Sequence, residues 1–144
     1  MAKQTVKKER EIKYTDKSPG QPGLIPVFNR LRQILLTFVK GSLFVMSDKP
    51  GQFHLHSNKN ITINGKKHNE VYFAGLLVQK GYVGFYFMPV YSDAFLQKEI
   101  APELLKCLKG KSCFHIKKAD TALEAQIAAA LQAGYNCYVK KGWI

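Results

Sequence analysis

Acidic side chains are scarce in this chain. Ten Asp and Glu stand against 22 Lys and Arg in 144 residues, a net charge of +12 with histidine neutral. Such a surface attracts nucleic acid, an anionic surface or an acidic partner, and by itself it does not choose among them. Cysteine is also sparse. Cys107, Cys113 and Cys137 are odd in number and lack the short paired spacings of a disulfide framework or a zinc knuckle, so a reducing, cytoplasmic setting is expected. Long apolar runs are missing as well: the start, MAKQTVKKEREIKYTDK, is charged where an export signal has an apolar centre, and 24–46 is interrupted by Arg30, Arg32 and Lys40. Neither export nor membrane insertion is expected. The chain contains no Walker-type or Rossmann glycine loop, no HExxH, no GxSxG and no pair of carboxylates placed for acid and base work. The expectation is a protein that is not an enzyme and carries no cofactor.

What is present suffices for one ordinary domain: 46% of residues are hydrophobic and 12% aromatic. Residues 1–23 show almost no apolar periodicity and contain SPGQPG, which predicts a basic, flexible N-terminal arm followed by a single domain over 24–144. Sixteen basic and seven acidic residues follow Gly23, so the excess charge belongs to the domain and not to the arm.

In 24–40, Val27, Leu31, Ile34, Leu35 and Phe38 recur at helical spacing, with Pro26 tolerable in the first turn and Gly41 placed to stop the helix. The period then falls to two. LFVMS, QFHLHS, NITI, VYFAGLLVQ and YVGFYFM are short, rich in aromatic and β-branched residues, and separated by turn chemistry at Pro50-Gly51, Asn64-Gly65 and Lys80-Gly81. They predict an antiparallel meander of about five strands, with 71–79 and 82–88 in its middle because they are apolar at odd and even positions alike. After a capping position at Ser92, residues 93–108 read as a helix broken at Pro102 and ended by Gly110, and 113–116 as a possible further strand. Thr121 and Glu124 stand at capping-box spacing before a last helix that turns Leu123, Ile127, Leu131, Tyr135 and Tyr138 inward. This order is α+β: a two-layer sandwich with an antiparallel sheet of five to six strands and the helices on one face.

Four groups of residues are chemically suggestive. Cys113 and His115 share one face of a strand and have lysines on both sides, yet a nucleophilic thiol also needs a base held by a third group, and none is apparent. His54 and His56 also share a strand face and present two imidazoles to a metal, with His68 or His115 as a third ligand if the fold brings one near. Arg30 and Arg32 with Lys117 and Lys118 form a candidate anion-binding surface, to which Lys66, Lys67, Lys140 and Lys141 would add. Tyr86, Met88, Tyr91 and Trp143 would line a cleft between the sheet and the last helix, or simply close the core.

The stretches YFAGLLVQKGYVGFYFMPVY (72–91) and IAPELLKCLKGKSCFHIKKAD (100–120), together with the closing YVKKGW (138–143), resemble the YdhG-like family, a domain of unknown function whose fold is similar to that of frataxin. The resemblance covers about 24–143. It implies a helical layer on an antiparallel sheet and a small binding or accessory protein. Through frataxin-like relatives it also implies iron handling by acidic residues on the first helix and first strand edge, where 24–40 carries no Asp or Glu. Partners in keeping with these readings are nucleic acid or another anionic molecule.

Overall fold

The computed structural model describes residues 13–144. Helix α1 (Leu24–Leu36) is followed by β1 (Leu43–Lys49), β2 (Gln52–Ser57), β3 (Ile61–Ile63), β4 (Lys66–His68), β5 (Val71–Gln79) and β6 (Tyr82–Phe87). Then come a short α2 (Met88–Ser92), a 3-10 turn (Ala94–Glu99), α3 (Pro102–Leu105), β7 (Leu108–Lys109), β8 (Cys113–Ile116) and the long α4 (Thr121–Lys141). Six strands form one antiparallel sheet in the order β1-β2-β5-β6-β8-β7, with β5 and β6 central as the apolar pattern requires.

Alternation assigns the faces. Phe53, Leu55, Ala74, Leu76, Val78, Val83, Phe85, Phe87, Phe114 and Ile116 point to the helical layer and are buried. Leu31 and Leu35 of α1 and Ile127, Leu131 and Tyr138 of α4 close over them. The Tyr138 hydroxyl donates to the Tyr72 carbonyl oxygen at 2.8 Å, so the buried phenol is satisfied while it ties α4 to β5. No helix among the described residues is long and apolar enough to cross a membrane.

Several boundaries differ from expectation for local reasons. Helix α1 ends at Leu36 and not at residue 40: Thr37 turns its hydroxyl back onto the Ile34 carbonyl at 2.6 Å, and Phe38 and Val39 bond to the carbonyls three residues earlier. NITI does not join the meander. It pairs with β4 as a separate two-stranded hairpin whose turn residues, Asn64 and Gly65, both have positive φ (50° and 80°).

Gly110 does not end a helix; with φ of +81° it turns the chain between β7 and β8. Asp93 and not Ser92 caps the following turn, accepting from the Phe95 amide at 3.0 Å. The cap of α4 is Asp120 and not Thr121: its carboxylate accepts from the Leu123 amide, and Glu124 reaches back to the Asp120 amide.

Within the predicted arm, residues 1–12 lie outside the described residues. Residues 13–23 are attached to the sheet: the Tyr14 hydroxyl donates to the Val78 carbonyl at 2.6 Å, and Gln21 bonds to both Gln79 and Gly81 across the β5–β6 turn.

Candidate functional site

The face of the sheet turned away from the helices carries the groups with chemistry. Register aligns Ser47, His54, Gly75, Tyr86, Cys113 and Lys109 in one row across the strands, and Gln52, Leu77, Gly84 and His115 in the next. Strand β6 separates its aromatics by chemistry. Val83, Phe85 and Phe87 go to the core, while Tyr82 and Tyr86 go to the open face with Gly84 between them.

At the β6–β8 end the rings are half-exposed. His115 stacks on Tyr82 with 3.7 Å between centroids and 11° between planes. Burial lowers the His115 pKa from its ordinary value, and the nearby Lys109 and Lys117 ammonium groups lower it further, so the imidazole is neutral at neutral pH. Tyr86 leans over Gly84, where a Cβ would stand 2.8 Å from the ring, and its hydroxyl accepts from the Gln79 amide at 3.2 Å. Burial pushes the Tyr86 phenol up to about 12.

At the β2 end the groups are buried. The His54 Nδ1 and the Tyr72 hydroxyl are 3.1 Å apart, and the His56 Nδ1 lies 3.1 Å from Glu70 Oε1. The Tyr72 ring meets both imidazoles, with centroids 5.8 Å and 5.1 Å away. Gly75 makes room for this cluster, because a Cβ there would collide with the Tyr72 hydroxyl and His54 Nδ1. Burial, followed by the His56 charge, takes the His54 pKa down to about 4. Its Nε2 is buried without a hydrogen-bond partner among the described residues.

His54 and His56 therefore share a face as expected, but His68 sits on the separate hairpin and His115 on β8, and neither converges on them. Among the described residues no group of three His, Cys, Asp or Glu is arranged to hold a metal ion. The three thiols are free and half-buried. Burial raises the pKa of each, and for Cys137 the Asp93 carboxylate, to which it donates at 3.3 Å, raises it further. At Cys113 the neighbour on the open face is Tyr86, a phenol and not a base. All three thus stand as thiols at neutral pH, the inert form.

The four basic residues expected to gather as an anion site divide into two kinds. Arg30 makes a two-pronged contact with Glu124 at 2.8 Å for each nitrogen, and Arg32 makes another with Asp48. Both guanidinium groups are neutralised by carboxylates. Lys117 and Lys118 are exposed after β8, where alternation puts Lys117 on the open face beside His115.

The predicted cleft does not form either: Tyr86 is on the open face, Tyr91 is 55% exposed, and Trp143 packs edge-on against Tyr138 at 5.0 Å. An open groove of about 530 Å³ between the 3-10 turn and α4 mixes Asp93 and Glu99 with Lys140 and Lys141.

Tyr82 and Lys109 were not among the residues singled out from sequence. The available signal was the Tyr-Val-Gly-Phe-Tyr-Phe order of β6, in which hydroxylated and plain aromatics alternate by face. No family model matches the chain, and no curated protein or solved structure is significantly similar to it.

Proposed function

We propose that this chain is a small, non-catalytic binding or accessory protein of the YdhG-like kind that engages an anionic partner through the open face around β6 and β8. One observation carries the reading: Lys109 and Lys117 flank a half-exposed Tyr82–His115 stack on a face without a covering helix among the described residues. Residues 104–119 contain five lysines and no acidic residue, and 71–92 contain no acidic residue either. By contrast, the arginines of the helical layer are already paired.

The raised thiol pKa values and the lack of a base beside Cys113 support a role other than covalent catalysis. Three unpaired thiols support a reducing, cytoplasmic setting. The order of helix, meander, short helices, strand and long helix supports the family assignment.

Retention on a polyanion such as heparin tests the reading. Binding at low ionic strength that falls steeply with salt, and weakens when Lys109 and Lys117 become Gln, is expected. Absence of retention at low ionic strength would remove the proposal.

A metal-chaperone reading draws on the buried, unpartnered His54 Nε2. It predicts calorimetric binding of zinc or iron that disappears in the His54→Ala, His56→Ala double variant, and no heat with either metal removes it.

A further inference from the structure

We propose that the open face of β6 and β8 binds single-stranded nucleic acid, with bases stacking on Tyr82 and Tyr86 and phosphates held by Lys109 and Lys117. The inference rests on the anionic-partner reading above and names the occupant of that face.

The first support is the arrangement of rings. Tyr82 and Tyr86 occupy the same face of one strand, their Cα atoms about 13 Å apart along it at the usual rise per residue, and Tyr86 leans back over Gly84 toward Tyr82. The residue of that face between them is glycine, which leaves room for the Tyr86 ring to lie over the strand beside Tyr82. Each ring is backed on one side, Tyr82 by His115 and Tyr86 by the Gly84 backbone. Rings supported from behind lose little freedom when a base lands on their outer side.

The second support is charge. Lys109 points to this face from β7 and Lys117 from the end of β8, and Lys80 lies in the turn before Tyr82. Lys111, in the turn between β7 and β8, stands 5.6 Å above the exposed Tyr91 ring. A positively charged face that tracks a backbone, with aromatic rings for unpaired bases, is the arrangement that binds single strands without strong sequence preference.

A duplex keeps its base faces stacked inside and offers only grooves and phosphates, so it makes no use of Tyr82 and Tyr86. An acidic polypeptide would likewise meet the lysines and leave the rings idle.

Fluorescence anisotropy with the full chain tests this, using short labelled oligo(U) and oligo(dT), a duplex of equal length, and heparin and polyglutamate as competitors. The expected result is tighter binding of single strand than of duplex. Tyr82→Ala should weaken it about tenfold, in line with the loss of one stacked base, and Tyr82→Phe should restore it. Lys109→Gln and Lys117→Gln should each lower the salt slope. Tyr82 stands at the start of its strand and is half-exposed, so its replacement is testable even if Tyr86→Ala fails to fold.

Unchanged oligo(U) affinity in Tyr82→Ala, with heparin still bound, overturns the stacking proposal and leaves the anionic-partner reading standing. Failure to bind any of the polyanions overturns both. Equal or tighter binding of duplex or polyglutamate than of single strand overturns the choice of occupant.

Discussion

His115 and Tyr82 lie face to face across β8 and β6, 3.7 Å between ring centroids and 11° from parallel. Gly84 is the residue directly opposite His115, so Tyr82 reaches it on the diagonal, a distance that aromatic side chains span. A pair built this way keeps the imidazole half-exposed, next to Lys109 and Lys117.

The lysines make one prediction about that imidazole. Both carry positive charge, which disfavours protonation of His115, and burial acts in the same direction. The ring facing the imidazole is the Tyr82 phenol, neutral in the range where His115 titrates. Replacing Lys109 and Lys117 by Gln should raise the His115 pKa toward the ordinary value. A proton NMR titration of the imidazole reads this directly, and an unchanged or lowered pKa would contradict the charge argument.

His54 predicts how stability depends on pH. Its folded pKa of about 4 lies below the ordinary value of 6.5, so between these values the unfolded chain binds a proton that the native chain does not. The stabilisation is full above pH 6.5, declines as pH falls toward 4, and changes no further below that. The gap corresponds to about 3 kcal/mol across the window. Urea denaturation from pH 7 to pH 4 measures it, and His54→Gln should flatten the profile in this interval.

The two glycines of the open face should respond unequally to a methyl group. In Gly84→Ala the new Cβ meets the far end of the Tyr86 ring, which is half-exposed and able to swing away at the expense of the Gln79 hydrogen bond. A loss of about 1 kcal/mol is expected. In Gly75→Ala the Cβ meets the Phe53 carbonyl oxygen at 2.9 Å as well as the Tyr72 hydroxyl and His54 ring, all held in place. The overpacking should remove about 2–3 kcal/mol, with the order of the two variants read from denaturation midpoints.

The thiols supply a fourth prediction. With each pKa raised by burial, Cys107, Cys113 and Cys137 should react with iodoacetamide at neutral pH more slowly in the folded protein than in urea. Mass spectrometry of the alkylated peptides assigns the rates. A Cys113 that reacts faster than a free cysteine would restore the nucleophile reading.

The sheet was legible wherever alternation and turn chemistry agreed. QFHLHS showed its two histidines on one side, Asn64-Gly65 showed its hairpin, and the doubly apolar 71–79 and 82–88 showed the centre of the sheet. NITI carried the same local signal as a sheet strand. Its three-residue strand pairs only with KKH, and which partner a strand finds is settled by long-range packing that no local pattern records. The pairing of Arg32 with Asp48 was hidden for a related reason, since it joins α1 to β1 only in the folded chain.

Half of the candidate face was hidden by the likeness of Tyr to Phe. Read as one apolar class, the aromatics of β6 all appear to be core. Separated by the hydroxyl, they divide into Phe85 and Phe87 inside and Tyr82 and Tyr86 outside. The stack of Tyr82 on His115 depends in addition on the diagonal register of two strands, which joins residues 33 positions apart in the chain.

The central claim is that the open face of β6 and β8 is the binding surface, and amide NMR during titration with oligo(U) tests it most directly. Shifts concentrated at Tyr82, Gly84, Tyr86, Cys113, His115 and Lys117 are predicted. Shifts confined to α1 and the first turn of α4, around Arg30, Arg32 and Glu124, would contradict the account.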